Sequence, residues 1–273
     1  MLQTPFEFYS AIEKALAPTV ALTTWEKCYA PYLRKWCSLI GDCTPESLDA
    51  ATIKVCGGYE EKSRSRQVAI TCLSRAYSYL GLNIPVEVHC LSRPYGTSDV
   101  VVEPLPSDAD IQSAWASIPS VAWKNAYALM ATYGIRNHEI FRSELLDTSS
   151  GLKLKIEEET KTGTRVAFPY PAQWVTTFHI EPGMVLPSLA RSSSNQRLGQ
   201  QVSLQFKRYG IDFKPYALRR SFACRAIALG NDFIVAKSLG HSVRTLNEIY
   251  RKHIDPSRLE DMSNAVFAQS HIA

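Results

Sequence analysis

Apolar positions recur at three- and four-residue steps through residues 1–84, a pattern that predicts a bundle of short helices. The first helix has a capping-box start, in which Thr4 precedes Pro5 and Glu7 follows three positions later. Two later apolar stripes comprise Trp25, Tyr29, Tyr32, Leu33, Trp36 and Ile40, then Ala69, Leu73, Ala76, Tyr77 and Leu80. Stripes of this kind are typical of buried helix faces, so we expect a helical domain over 1–84.

Two further helix starts and one break are predicted inside this domain. Thr23 and Glu26 repeat the capping-box pattern, and Thr44 precedes Pro45 at another start. Pro31 lacks an amide hydrogen, so it is expected to kink the aromatic helix or to reset its start.

Helical periodicity stops between residues 85 and 107, where the chain reads "PVEVHCLSRPYGTSDVVVEPLPS". Prolines and a glycine interrupt this stretch, and no apolar stripe runs through it. The sequence therefore predicts an interdomain linker over 85–107.

A second, mostly helical domain is predicted over 108–273. Ser107 caps its first helix, and helix stops follow at Gly134, Gly210, Gly230 and Gly240. The runs "LKLKIEEE" and "TRVAFP", joined by "TKTG", predict an antiparallel hairpin. The expected fold class is thus mainly α with a small antiparallel β-sheet. Apolar residues at helical spacing predict a tail helix, namely Leu259, Met262, Val266 and Phe267.

The composition of the chain says more about the cellular compartment of the protein than about its function. The net charge of +4 and the pI near 8.6 favour an anionic partner only weakly. The 7 cysteines show no C-x-x-C spacing and read as reduced thiols. No run of eighteen apolar residues and no signal-peptide pattern is present. We therefore expect a cytoplasmic protein, associated with the nucleoid if it binds DNA.

A basic cluster stands at the start of a predicted helix in the first domain, with Lys62, Arg64 and Arg66 set among serines. Positive charge beside the free amide groups of a helix start suits a phosphate group. A solvated, charged helix end is the alternative reading of the same residues.

Five residues of the second domain form a chemical set: Arg136, Lys161, Arg219, His241 and Tyr250. Each alone has an ordinary structural explanation. Together, two arginines, a lysine and a histidine can donate hydrogen bonds to one phosphate. A tyrosine oxygen can then attack a phosphodiester whose developing charge is held by those donors. Such chemistry requires no metal and no other cofactor, and the sequence contains no phosphate-cradling G-x-x-x-x-G-K-[ST] loop.

In order as well as identity, these residues resemble the motifs of the tyrosine recombinases, also called phage-type integrases. "TYGIRNHEIF" is similar to the T-G-x-R-x-x-E box of that family, with Arg136 as its arginine and Glu139 as its glutamate. "TKTGTRVAFP" resembles the hairpin that carries the catalytic lysine, which places Lys161 in that role.

The two closing boxes follow in the same order. "PYALRRSFA" resembles H-x-L-R-H-T-F-A, with Arg219 as the second arginine. "LGHS", with His241, and Tyr250 nine residues later resemble the final box with its nucleophile. The resemblance covers about residues 106–253, and the N-terminal helices also look like the core-binding domain of the family.

The resemblance implies an enzyme that breaks and rejoins DNA strands at specific sites. A core-binding domain over 1–84 and a catalytic domain over 108–273 would close on double-stranded DNA as a C-shaped clamp. Further protomers would assemble on the DNA, most often as a tetramer, and an accessory DNA-bending protein can take part. The tail helix would dock on a neighbouring protomer or pack on its own domain.

The resemblance also implies individual roles. Tyr250 would form a 3′-phosphotyrosine bond, and Lys161 would protonate the leaving 5′ oxygen. Glu139 would orient the first arginine rather than touch DNA. The non-bridging phosphate oxygens would be held by Arg136, Arg219 and His241. DNA-backbone contacts are expected from Lys62, Arg64, Arg66, Lys214 and Arg225.

One position departs from the family pattern. Tyr216 stands where histidine or lysine is usual, two residues before Leu218. A phenol can donate a hydrogen bond to a phosphate oxygen but is a poor proton acceptor near neutral pH. Arg220 and Ser221, where His-Thr is common, are a milder change.

Three alternatives to a recombinase remain open on the sequence. A type IB topoisomerase-like enzyme would use nearly the same residues to relax DNA. A catalytically silent DNA-binding protein would keep the fold without the chemistry, and Tyr216 is the residue that favours it. A helical protein without a nucleic-acid role would leave the order of the boxes unexplained.

Overall fold

The computed structural model describes residues 4–91, 103–157, 163–189, 193–227, 231–250 and 253. The chain divides into two compact units, Met1–Val100 and Val101–Ala273. Most described residues are helical, and the described strands form one three-stranded antiparallel sheet. The predicted fold class, mainly α with a small antiparallel sheet, is confirmed.

The first unit is built from short helices around an aromatic core. In chain order these are α1 Pro5–Leu16, α2 Leu22–Thr24, α3 Ala30–Cys37, α4 Pro45–Gly57, α5 Arg64–Tyr79 and α6 Val86–Leu91. The capping box at Thr4 forms as predicted, with Glu7 N donating to Thr4 Oγ1 and Thr4 N donating to Glu7 Oε2. Trp36 lies at the centre of the core, with its ring against Phe8 and Tyr77.

Two local expectations for the first unit differ from the structure. The capping box at Thr23 does not form, because α2 begins at Leu22 and runs into a π-helical turn, Trp25–Tyr29. That wide turn directly precedes α3, where Pro31 has no amide hydrogen to continue a regular helix. The expected linker also begins with a helix: α6 packs Val88 into the core of the first unit.

The second unit surrounds its sheet with helices. They are α7 Asp108–Ser117, α8 Val121–Tyr133, α9 Trp174–Thr177, α10 Asn195–Arg208, α11 Pro215–Ile227, α12 Asp232–Leu239 and α13 Val243–Tyr250. The sheet has the order β1 Ser143–Thr148, β2 Gly151–Ile156 and β3 Arg165–Ala167. The predicted hairpin is the β2–β3 pair, in which Leu154 faces Ala167. Strand β1 was not predicted, because its side chains show no clean apolar alternation.

Helix α11 is the central element that positions the site. One of its residues, Leu218, belongs to the core around α8, α10 and the sheet, whereas Phe222 belongs to the core formed with α12 and α13. The ring of Phe222 lies against Gly134, where an added Cβ would come within 2.3 Å of it. Gly134 also has φ +63°, so both conformation and space require glycine where α8 ends.

No helix among the described residues is long and apolar enough to cross a membrane.

Candidate active site

Arg136 follows the glycine that ends α8, and Glu139 holds it in place. The Arg136 backbone N donates to Glu139 Oε2 at 2.7 Å, and its Nη1 donates to Glu139 Oε1 at 2.7 Å. Both oxygens of one carboxylate therefore fix the main chain and the side chain of the same arginine.

Glu139 is completely buried and carries a second arginine. Arg165, at the start of β3, donates Nη2 to Glu139 Oε2 at 2.6 Å. Burial alone would raise the pKa of Glu139, but the hydrogen bond and charge of Arg165, with the charges of Arg219 and Arg136, lower it to about 2. Glu139 is therefore an anion at the centre of a cationic cluster.

Arg219 lies on α11 and is 1% exposed. Its Nη1 donates to the carbonyl of Gly134 at 2.7 Å, and its Nη2 donates to the carbonyl of Leu239 at 2.5 Å. The same Nη2 lies 2.8 Å from His241 Nε2. One guanidinium thus joins the ends of α8 and α12 and reaches the histidine between α12 and α13.

His241 stands immediately after the glycine that ends α12, and its backbone N donates to Ala236 O at 2.8 Å. Because an arginine can only donate, His241 Nε2 is the acceptor toward Arg219. Burial, followed by the charges of Arg219, Arg136 and Arg165, lowers the pKa of His241 to about 4. The imidazole is therefore neutral near pH 7, with an acceptor nitrogen facing the site.

Tyr250, the last residue of α13, directs its hydroxyl at that nitrogen. Tyr250 Oη lies 3.2 Å from His241 Nε2 and 3.5 Å from Tyr216 Oη. The Tyr250 side chain is fully buried, and burial raises its pKa to about 12 although the charge of Arg219 opposes the rise. Burial would also raise the pKa of Tyr216, but Arg219, the hydrogen bond with Tyr250 and Arg136 together lower it. The site therefore contains a protonated phenol next to a neutral imidazole.

The structure brings together most of the residues that the sequence singled out. Tyr250, His241 and Arg219 form a chain of close contacts with Tyr216 at its end, and Arg136 is joined to Glu139 beside it. Lys161 lies outside the described residues. Arg165 was not singled out from the sequence, although its place four residues after Lys161 in the hairpin was a signal that could have found it.

Two of the expected DNA contacts are structural instead. Arg66 is 8% exposed and donates Nη2 to the carbonyls of Gly57 and Tyr59, which ties α5 to the end of α4. Arg225 has a side chain only 9% exposed and is paired with Asp108 at 2.9 Å. Both guanidinium groups are used inside the fold, which corrects the expectation that they contact phosphates.

Arg225 is further held by the second unit itself. Its Nη2 donates to Ala131 O at 3.2 Å, and its Cζ lies 4.3 Å from the ring centre of Trp174. The sequence placed a positive charge here correctly but could not reveal that the charge is satisfied by contacts within the unit.

The other three expected DNA contacts are exposed. Lys62 and Arg64 flank the N-cap of α5, where Arg64 also donates to Gln67 Oε1. Lys214 is 77% exposed and pairs with Glu103 at 3.0 Å, an ion pair that solvent weakens. These side chains stay accessible to a phosphate, and their role in binding DNA remains a prediction.

The two shifted pKa values predict that the second unit loses stability in acid. Unfolded His241 binds a proton below pH 6.5 but folded His241 does so only near 4, so the free energy of unfolding falls across that window. Folded Glu139 resists protonation from its ordinary 4.5 down to about 2, which continues the fall at lower pH. Thermal melts from pH 7 to pH 3 measure this. In His241→Gln the melting temperature should change less between pH 6.5 and pH 4 than in the wild type. A wild-type melting temperature that stays constant over that range would contradict the prediction.

Sequence comparison finds two related proteins, both far longer than the matched segment. The chain is 30% identical over 186 residues to Excisase A of Nostoc sp. (strain PCC 7120), which covers 62% of this chain and 38% of that protein. It is 29% identical over 143 residues to Excisase C of the same organism, covering 48% of this chain and 29% of that protein. The chain thus matches less than half the length of either relative. No protein-family model matches the chain.

Comparison with solved structures finds the same fold along nearly the whole chain. A lambda integrase tetramer bound to a Holliday junction has a TM-score of 0.65 at 18% identity, covering 92% of this chain and 77% of that one. Lambda integrase residues 75–356 bound to DNA has a TM-score of 0.63 at 17% identity, and the match covers 92% of this chain and 96% of that one. The XerH site-specific recombinase bound to its difH substrate has a TM-score of 0.61 at 16% identity, and the match covers 95% of this chain and 84% of that one.

Lambda integrase and XerH are tyrosine recombinases. The helices and the small sheet agree with those structures, and the chain has the fold of the tyrosine recombinases.

Proposed function

We propose that the chain is a site-specific DNA recombinase that breaks and rejoins DNA through a 3′-phosphotyrosine intermediate, in DNA integration or excision. The observation that carries the proposal is the placement of Tyr250 Oη 3.2 Å from His241 Nε2, with the Arg219 guanidinium 2.8 Å from the same nitrogen. A phenol beside a neutral acceptor and a fixed cation has the parts of an activated nucleophile. The names of the two excisase relatives support the same reaction class.

In the proposed reaction, Tyr250 Oη attacks the scissile phosphorus and the bond from phosphorus to the 5′ oxygen breaks. The phenol proton passes to Nε2 of the neutral His241, whose lone pair is released when Arg219, which donates to it in the free protein, turns to the phosphate. Arg136 and Arg219 stabilise the charge that develops on the non-bridging oxygens. Lys161 donates a proton to the leaving 5′ oxygen. The 5′ hydroxyl of another strand then displaces Tyr250, so the phosphodiester is restored without a metal ion or ATP.

Tyr216 is proposed to support Tyr250 rather than to replace a basic residue. Its hydroxyl lies 3.5 Å from Tyr250 Oη, and the positive charge of Arg219 lowers its pKa against the effect of burial. It can donate a hydrogen bond to a phosphate oxygen or to the Tyr250 oxygen as negative charge grows there. Because His241 already supplies an acceptor, the reaction does not need a base at position 216.

The proposed partner is double-stranded DNA, bound by a core-binding domain over 1–84 and by a catalytic domain over 108–273. Backbone contacts from Lys62, Arg64 and Lys214 would make the affinity fall steeply with salt. The lambda integrase tetramer on a Holliday junction supports assembly of several copies on DNA. An accessory DNA-bending protein belongs to the same proposal.

Covalent capture tests the proposed function directly. The chain is expressed with candidate target DNA, the cells are lysed in detergent with EDTA and without ATP, and DNA attached to the protein is sequenced. We expect adducts through the 3′ phosphate, clustered at one sequence. Adducts scattered without sequence preference would instead indicate a topoisomerase-like relaxing enzyme. DNA binding without any adduct would indicate a silent binding protein, and absence of binding at low salt would remove the nucleic-acid role.

A further inference from the structure

Arg165 is a buried arginine that joins two parts of the candidate site. It is the first residue of β3, in the hairpin that also contains Lys161, and it is 9% exposed. Burying a guanidinium is costly unless its donors are well used. Its contacts therefore indicate what the charge is for.

One contact is with the anion that holds the first arginine. Arg165 Nη2 donates to Glu139 Oε2 at 2.6 Å, and Glu139 Oε1 accepts from Arg136 Nη1 at 2.7 Å. The same Oε2 accepts from the Arg136 backbone N. Arg165 and Arg136 thus share one carboxylate, so the position of Arg136 depends on Glu139 and the orientation of Glu139 depends on Arg165.

A second contact is with the turn that presents His241. Arg165 Nε donates to the carbonyl of Ser238 at 3.0 Å, and Phe168 N donates to Ser238 Oγ at 3.1 Å, so β3 and its continuation are joined to α12. A Cβ on Gly240 would lie 3.1 Å from Arg165 Cδ and Nε. The turn with φ +67° at Gly240 therefore packs directly on the arginine, one residue before His241.

We propose that Arg165 is a positioning residue: it fixes two elements to strand β3, namely the carboxylate that orients Arg136 and the turn that presents His241. It acts through Glu139 and Gly240 and does not contact the DNA. This assignment rests on the proposed function, since it assigns a role within that site.

The geometry explains why arginine is needed here. A guanidinium donates from Nε and Nη2 in different directions with fixed spacing, so it can hold Ser238 O and Glu139 Oε2 at once. A lysine has one ammonium on a flexible stem and can hold the carboxylate without the carbonyl. A glutamine retains neither the charge nor the reach.

Single-turnover cleavage of a nicked DNA duplex tests the assignment with Arg165→Gln and Arg165→Lys. We expect Arg165→Gln to reduce the cleavage rate about 100-fold, as displacements near 1 Å do, with DNA affinity changed by less than about threefold. Arg165→Lys should reduce the cleavage rate only about 10-fold, because lysine retains the charge next to the carboxylate. Glu139→Gln combined with Arg165→Gln should lose no more than the worse single variant, because the two act through one contact.

Arg225→Gln is the matched control. The Arg225 side chain is 9% exposed, against 7% for Arg165, and it is also paired with a carboxylate, that of Asp108, which lies outside the candidate site, as does Ala131. It should lower the melting temperature as Arg165→Gln does while the cleavage rate stays within about threefold of wild type. Equal losses of cleavage in the two variants would assign both to general destabilisation and overturn the proposal.

The backbone amide NMR signals of Gly240 and His241 give a readout that needs no catalysis. We expect them to shift strongly in Arg165→Gln, less in Arg165→Lys and not in Arg225→Gln. Unmoved signals in Arg165→Gln would overturn the positioning role. A wild-type chain that forms no adduct would refute the proposed function, and the amide signals would still decide whether Arg165 positions these residues.

Discussion

Replacing Tyr250 with phenylalanine is expected to abolish covalent attachment to DNA while the fold and the affinity for DNA persist. The phenol oxygen is the proposed nucleophile, and removal of a nucleophile lowers catalysis by factors of about 10⁴ or more. The change deletes one buried hydroxyl facing His241 and Tyr216, so the free energy of unfolding should change by only about 1 kcal/mol. Denaturing gel electrophoresis of protein incubated with labelled nicked duplex measures the adduct.

Tyr216→Phe is the matched control, because it also removes one phenol oxygen, and that oxygen lies 3.5 Å from Tyr250 Oη. We expect it to slow adduct formation by about 10-fold, the loss of one hydrogen bond near developing charge, but to leave the adduct detectable. An adduct that survives in Tyr250→Phe and disappears in Tyr216→Phe would reverse the assignment of the nucleophile.

Arg219→Lys is expected to have the second largest effect and to reduce both stability and cleavage. One ammonium cannot hold the carbonyls of Gly134 and Leu239 and also reach His241. We expect the free energy of unfolding to fall by about 2–3 kcal/mol from a buried carbonyl left without its donor. The cleavage rate should fall by about 10²–10³-fold because a donor to the developing phosphate charge is displaced.

Chemical denaturation and single-turnover cleavage at the same temperature separate the two effects. Arg225→Lys serves as the control, because that arginine is also on α11, with its side chain 9% exposed, but pairs with Asp108 and stacks on Trp174. It should lower stability alone. Cleavage by Arg219→Lys at the wild-type rate, with the protein fully folded, would remove Arg219 from the catalytic set.

Predictions based on local chemistry agree with the structure wherever neighbouring residues decide the outcome. The capping box at Thr4, the N-cap at Ser107, the helix end at Gly134 and the β2–β3 hairpin all form. Each depends on contacts within a few residues, which a sequence pattern contains. Thr23 is the exception, because α2 begins one residue earlier, at Leu22, so Thr23 lies inside the helix and not at its N-cap.

The sequence pattern did not show which arginine side chains are buried and which are exposed. Arg64 and Arg66 look alike in the sequence, yet Arg66 is buried against backbone carbonyls while Arg64 remains exposed. Arg225 likewise reads as a basic surface residue until Asp108, 117 positions earlier, is found beside it. Whether a charged side chain is buried or exposed depends on partners that can be distant in the sequence.

The sequence by itself determined the fold class, the helix ends at Gly134 and Gly240, and most of the residues brought into the site, because these depend on residue type and short spacing. Tertiary structure alone decided that Arg219 holds a carbonyl 85 positions away, that Arg165 holds the carboxylate of Glu139, and that His241 is neutral beside Tyr250. Burial and long-range charge set those properties, and both arise only when distant segments pack together.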